Sequence, residues 1–422
     1  MSEWVVRPQD FIGGPFSECP RCHAPQLGLL SVHRHHYVKR CRACVAAHSA
    51  DLPPVAKAVV YLDQLALSNM MFALNPNTPQ FQAGRVEPFW RAAFERLDVL
   101  VKLQRIVCPQ SSTHWFESMV SPHARELDDL ARLLSMGVRF QPVPVLRRFQ
   151  VQRHARQWLA GAGEEEVVLE RREVLDGNAL DGWTDRMQIV VRSHWTAGQL
   201  EDIRAARDQT HAGIVRIFQR WQTESSRKFQ DWYAEELDGF GKRIRGEFLR
   251  LVASGPLAVL NMSDDAMVPL MIQRDFEFGG LSDDEAWDRL HAFLQTVQWD
   301  RLPVARLGAM LWASLARKAA SGMKTPPTTG VVHDIETLAA ILPHCDAIFL
   351  DNEMRAYLQE QPLRDAVARY GTQVFSMSTK DGFLAYLDDL RAQVPDDHVR
   401  LVHTVYGADW PTPFTGLYDQ HD

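Results

Sequence analysis

Long apolar runs, an export signal and nucleotide-binding loops are all missing from this 422-residue chain. No window holds 18 uninterrupted apolar residues, so no membrane-spanning helix is expected. The start, Met1-Ser2-Glu3-Trp4, has neither the basic residues nor the apolar run of a secretory signal, and the expected location is the cytosol. Only six cysteines occur. Four are paired as CxxC, while Cys108 and Cys345 stand alone in apolar surroundings, a pattern that suggests metal binding and not disulfides. There is no P-loop and no G-x-S-x-G elbow, which removes the nucleotide-cradling and serine-nucleophile chemistries. Internal repeats and low-complexity tracts are lacking too.

What is present is an ordinary globular mix, 46% apolar and 23% charged, long enough for two or three domains. The formal net charge of −7 argues against a general polyanion binder. The charge is uneven, however. Residues 19–44 carry Arg21, Arg34, Lys39, Arg40 and Arg42 and no acid. The same segment holds Cys19-Pro20-Arg21-Cys22 and, after 18 intervening residues, Cys41-Arg42-Ala43-Cys44. Each CxxC lets two thiolates reach one ion from a tight turn, and two such turns complete a tetrahedral Zn²⁺ site. Leu27 to Val32 and His36 to Arg40 read as a hairpin between them. His23, His33, His35 and His36 crowd the segment, and one of them could replace a Cys as ligand; the reading preferred is ribbon surface, since four thiolates already fill the coordination sphere and make this zinc structural. The whole resembles a zinc ribbon. Residues 1–18 read as irregular and 45–58 as a linker.

Val59-Val60-Tyr61-Leu62-Asp63 is an apolar run ending in a carboxylate, the pattern of a strand buried on both faces that delivers Asp63 to a sheet edge. Ile106-Val107-Cys108-Pro109 reads as a second strand, with hydroxyl residues after it capping a helix that carries Glu117. Residues 120–325 are mostly helical in pattern, with a turn at Asp176-Gly177-Asn178. The aromatic stripe from Phe229 to Leu251 reads as core. Asp334 stands at the start of an apolar-faced helix that Pro343 ends. Cys345 to Leu350 is a further buried strand, and it delivers Asp351.

The order Asp63, Glu117, Asp334, Asp351, each in this context, resembles the PIN-like nuclease family. The resemblance covers about 55–120 and 331–395, and some 200 residues separate Glu117 from Asp334 where a small family member has a short helical run. It implies an α/β fold: a PIN-like parallel sheet flanked by helices, interrupted by a large helical insertion, with the small zinc ribbon in front. The expected divisions are residues 1–50 for the ribbon, 55–125 and 326–395 for the two halves of the core, 126–325 for the insertion and 396–422 for a tail. It also implies that Asp63, Glu117, Asp334 and Asp351 bind Mg²⁺ or Mn²⁺ and cleave phosphodiesters, RNA ahead of DNA, with Glu353 a further candidate ligand and Glu336 a spare. Arg34, Lys39, Arg40 and Arg42 of the ribbon would hold the nucleic acid, and the insertion would select substrate or form a homo-oligomer. The alternative is a non-catalytic interaction protein on the same scaffold. A phosphohydrolase of the haloacid dehalogenase kind needs a second Asp two residues after the first, and that position is Leu65.

Overall fold

Residues on opposite faces of one strand are buried alike when both faces of its sheet are covered. Val59, Val60, Tyr61 and Leu62 meet that condition, each at most 4% exposed. They form β5 (Ala58–Leu62) in a computed structural model that describes residues 8–44, 46–162, 165–176, 180–185, 196–254 and 264–419. The ribbon comes first, with β1 (Gly13–Ser17), β2 (Leu27–His33), β3 (His36–Cys41) and β4 (Ala47–Asp51). Later come β6 (Ile106–Val107), β7 (Arg139–Phe140), β8 (Leu175–Asp176), β9 (Ala347–Phe349) and β10 (Gln373–Phe375).

β5 is the central strand of a parallel sheet, with β6 on one side and β9 then β10 on the other. A parallel bridge from Gln110 to Arg139 ties β7 to the chain after β6, held by Phe140 N–H to the Gln110 carbonyl at 2.8 Å. One face packs Val60, Leu62, Ile106 and Phe349 against helices Gln64–Leu74, Pro88–Lys102, Ala124–Ser135 and Lys380–Ala392. Phe349 stacks on Phe89 at 5.7 Å and meets Phe383 edge-on at 5.0 Å. Burial of such a ring contributes about 1.5–3 kcal/mol. The other face packs Val59, Tyr61, Val107 and Ile348 against helices Val143–Leu159, Pro303–Ala320 and Thr329–Ile341. That core runs on without a break to Trp221, Trp232, Phe276 and Phe293. The stripe expected to be core is core at Trp232, Phe240, Ile244 and Phe248.

Several expectations need correction. The helix Ala124–Ser135 crosses the boundary drawn between 125 and 126, and β7 pairs with β8 in a two-stranded antiparallel sheet of its own, tied to Gln110 after β6 by a single bridge. The helical region is one layer on the sheet, sharing its core. Part of the stretch read as irregular is β1, and part of the linker is β4, which completes a four-stranded antiparallel sheet in the order β1-β2-β3-β4. Both are edge strands with little apolar pattern. Asp334 is not at its helix start: the helix begins at Thr329, because Pro326-Pro327 blocks earlier residues and Thr328 takes the extended N-cap conformation. The tail forms a helix, Asp396–Tyr406, whose Val402, Val405 and Tyr406 pack on the ribbon. The chain start at Met1, Val45 of the linker, and Gly177-Asn178 of the expected turn lie outside the described residues.

The ribbon docks through Leu29 and Val32 on Leu52, Val55, Val99, Leu103 and Trp183. Gly28 allows its two strands to close: a Cβ there would lie 2.4 Å from the Gly13 carbonyl. Val55 lies three residues before β5, so the ribbon braces the amino edge of the parallel sheet.

Candidate metal sites

At the ribbon, Cys19 Sγ lies 3.6 Å from Cys44 Sγ, and Cys22 Sγ lies 3.7 Å from Cys41 Sγ. A zinc ion with Zn–S bonds near 2.3 Å sets the edges of its sulfur tetrahedron at about 3.8 Å, so the thiols fit the ion. The crowded thiols share their acidity unevenly: the Arg21 backbone N–H pulls Cys19 down to about 6, while Cys22, despite the Ala24 N–H, is pushed up to about 12 by the neighbouring thiols. Among the described residues, this is the group of three or more His, Cys, Asp or Glu side chains whose ligand atoms all lie within 4.8 Å of one another.

The acids gather at the opposite, carboxyl edge. β5 and β9 pair in parallel with Leu62 beside Phe349, so the residues after each strand emerge together. Asp63 caps the helix after β5, accepting from Ala66 N–H at 2.8 Å. Asp351 caps the helix after β9, accepting from Met354 N–H at 2.6 Å. The Asp351 N–H also reaches the Asp63 carboxylate. Glu117 rides on the helix Ser112–Met119, started by Ser111, whose hydroxyl accepts from His114 N–H at 3.1 Å. Asp334 sits on the second turn of Thr329–Ile341. These two helices are tied by Thr113 Oγ1 to Thr337 Oγ1 at 3.0 Å and by His333 Nδ1 to Glu117 Oε1 at 3.4 Å.

Charge crowding shows in the acidities. Asp63, 7% exposed, is raised well above the usual carboxylate range by burial and by the charges of Asp334 and Asp351, with the Ala66 and Asp351 N–H groups opposing. Asp334 is pushed up to about 7 by burial, then by Glu117 and Asp351, with His333 opposing. Tyr61 rises through burial and through Asp334, Asp63 and Glu117. Asp334 is thus the acid that feels the charge of both Glu117 and Asp351, and Asp63 feels Asp334 and Asp351. Spacing is a stricter test. No three of these carboxylates come within 4.8 Å of one another. Ligand oxygens around one Mg²⁺ at about 2.1 Å stand closer than that, whereas two ions about 3.5–4 Å apart span more. The charge of the edge suits hard cations; a single closed shell is not preformed.

Glu353 is exposed and turned to the Tyr357 hydroxyl at 3.4 Å, one turn along its helix. Glu336 is exposed too, and its charge reaches His333 and Arg147. The basic residues are partly committed to structure. Lys39 donates to the Thr404 carbonyl at 3.2 Å, Arg42 donates to the Ile12 carbonyl and lies over the Phe16 ring, and Arg34 holds a left-handed backbone (φ 51°) where its strand bridges Trp183.

Three side chains at the site escaped sequence reasoning. Tyr61 OH pairs with His114 Nε2 at 2.8 Å beneath the acids, and burial pushes His114 down to about 4, so its ring is neutral. The contact with Glu117 raises His333 above the usual imidazole range, against its partial burial. The available signals were a hydroxyl inside an apolar strand and a histidine abutting Asp334. No family model, no curated protein and no solved structure matches the chain.

Proposed function

We propose that the chain is a metal-dependent nuclease that hydrolyses phosphodiester bonds, with RNA ahead of DNA as substrate. One observation carries this reading: four separate segments bring acids toward the carboxyl edge of a parallel sheet, and Asp63 and Asp334 are both raised by burial and by their neighbours' charges. That arrangement supports the resemblance to the PIN-like family. Mg²⁺ or Mn²⁺ would supply charge neutralisation at the phosphate oxygens and a more acidic attacking water. Asp63, rigid as a buried helix cap, would be the central ligand, with Asp334 and Asp351 beside it. Glu117, steadied by His333, would ligate or orient the water. The Tyr61–His114 pair would hold β5 against the Glu117 helix.

The zinc ribbon would add a second contact to the strand through Arg34, Lys39, Arg40 and Arg42. It lies at the other edge, and β5 alone separates the two by about 17 Å at roughly 3.3 Å per residue. A bound strand would have to span several nucleotides to touch both. Self-association would rest on exposed apolar side chains of the helical layer such as Leu249 and Phe278, 62% and 82% exposed.

The test is incubation of purified protein with labelled RNA and with single- and double-stranded DNA, with Mn²⁺ and with EDTA. Cleavage that needs Mn²⁺ and disappears in a folded Asp63→Asn variant is expected. Cleavage that survives Asp63→Asn would overturn the assignment. The wide carboxylate spacing favours a second reading, a non-catalytic scaffold with the ribbon as docking module. That reading requires that the protein neither cuts any substrate nor binds Mn²⁺ at these acids.

A further inference from the structure

Beside the acid edge lies a cavity of about 350 Å³. Phe116, Val143 and Pro144 belong to its apolar lining, and Glu117, His333 and Glu336 to its charged lining. We propose that this cavity receives one unpaired nucleobase of the substrate strand, next to the phosphate held at the acid edge. The inference rests on the nuclease reading and names the form of substrate it takes.

Three features point to a base. First, the volume is near the lower end of small-ligand sites, roughly 300–1,000 Å³, which suits one base and not a duplex. Second, Phe116 is 44% exposed although it adjoins the site, and Trp115 meets it edge-on at 5.1 Å, which steadies its ring. A half-exposed, steadied aromatic ring is a platform on which any base stacks. Third, Glu117 belongs to both the cavity and the acid edge, so an occupant is continuous with the reacting phosphate. A base in this position must have left its own stack and pairing. Val143, Pro144 and Thr210 all come from the long segment between Glu117 and Asp334, so the helical layer supplies the outer wall.

A neighbouring cavity of about 400 Å³ does not compete for this role. Its Arg147 and Arg243 face Glu236 and Glu336, and Arg147 is paired with Asp265 at 2.7 Å, so no net positive charge is left to seat a phosphate.

The experiment is an abasic scan of a short labelled RNA, and of the same sequence as DNA, read by both cleavage kinetics and fluorescence anisotropy. Removing the base at one position beside the cut should raise KM and Kd about 10-fold, with other positions nearly silent. Phe116→Ala should raise KM about as much on the intact strand, lose sensitivity to that abasic position and keep the wild-type Tm, while Phe116→Tyr restores binding. Pairing the strand into a duplex should suppress cleavage. A flat scan, or a Phe116→Ala variant with unchanged KM, overturns the base pocket. If cleavage still requires Asp63 in that case, the nuclease reading stands without it. A protein that neither binds nor cuts any of these strands sinks both.

Discussion

Replacing Asp334 with Asn should stabilise the protein when Mg²⁺ and Mn²⁺ are absent. Its carboxyl is pushed up from 3.8 to about 7. The folded value lies above the unfolded one, so ionising Asp334 costs the folded state. The cost is absent below about pH 4, builds between pH 4 and 7, and is complete above pH 7. A shift of about three units at roughly 1.4 kcal/mol per unit sets a ceiling near 4 kcal/mol. Asp334 is only partly buried, and solvent screening brings the expected value to about 2 kcal/mol. With an unfolding entropy of about 2.1 cal/mol/K per residue, that is a Tm rise of about 2 °C for a cooperative unit of this size. Calorimetry from pH 5 to 8 would show the gap between Asp334→Asn and wild type widening with pH. Chelators are avoided, so that thiolate-bound zinc stays in place. Added Mn²⁺ should then raise the wild-type Tm and leave the variant nearly unmoved. A variant that melts lower than wild type at pH 8, or a gap independent of pH, would refute the charge-crowding argument.

Three further outcomes follow from the same geometry. Cys41→Ser should lower bound zinc, measured by metal analysis, and loosen the ribbon; a zinc content equal to wild type would contradict the four-thiolate site. Asp98→Ala should destabilise by about 3–5 kcal/mol in denaturant titration, because it strands the buried Lys102 ammonium now 2.7 Å from Asp98 and frees the Phe414 N–H that Asp98 accepts. Tyr61→Phe should cost about 1–3 kcal/mol by leaving His114 Nε2 without its partner, and an unchanged unfolding midpoint would show that pair to be idle.

Local chemistry was legible and long-range assembly was not. The β5 run, the CxxC turns, and the helices begun by Asp63, Ser111 and Asp351 each follow from a few adjacent residues, and the structure places them within a residue or two of expectation. β7 was invisible because two residues joined to the sheet by a bridge at Gln110 carry no periodic pattern. β4, Ala47-His48-Ser49-Ala50-Asp51, is a largely exposed edge strand, and its pairing with β3 is its main structural signal. The Tyr61–His114 contact joins residues 53 apart, and nothing in either segment announces it.

The placement of Glu117 and Asp334 follows from packing and not from chain order. The helix carrying Asp334 buries Ile335, Leu338 and Ala339 in the same core as Val59 and Tyr61, and Thr337 on that helix meets Thr113 on the helix carrying Glu117. A long excursion between them costs little closure entropy, since each doubling of a loop adds only about 0.6 kcal/mol. The helical layer then has to fit the sheet at both ends, which the continuous core from Val59 to Phe293 achieves. Two acids about 200 residues apart can thus be carried to the edge at which neighbouring strands deliver Asp63 and Asp351 directly.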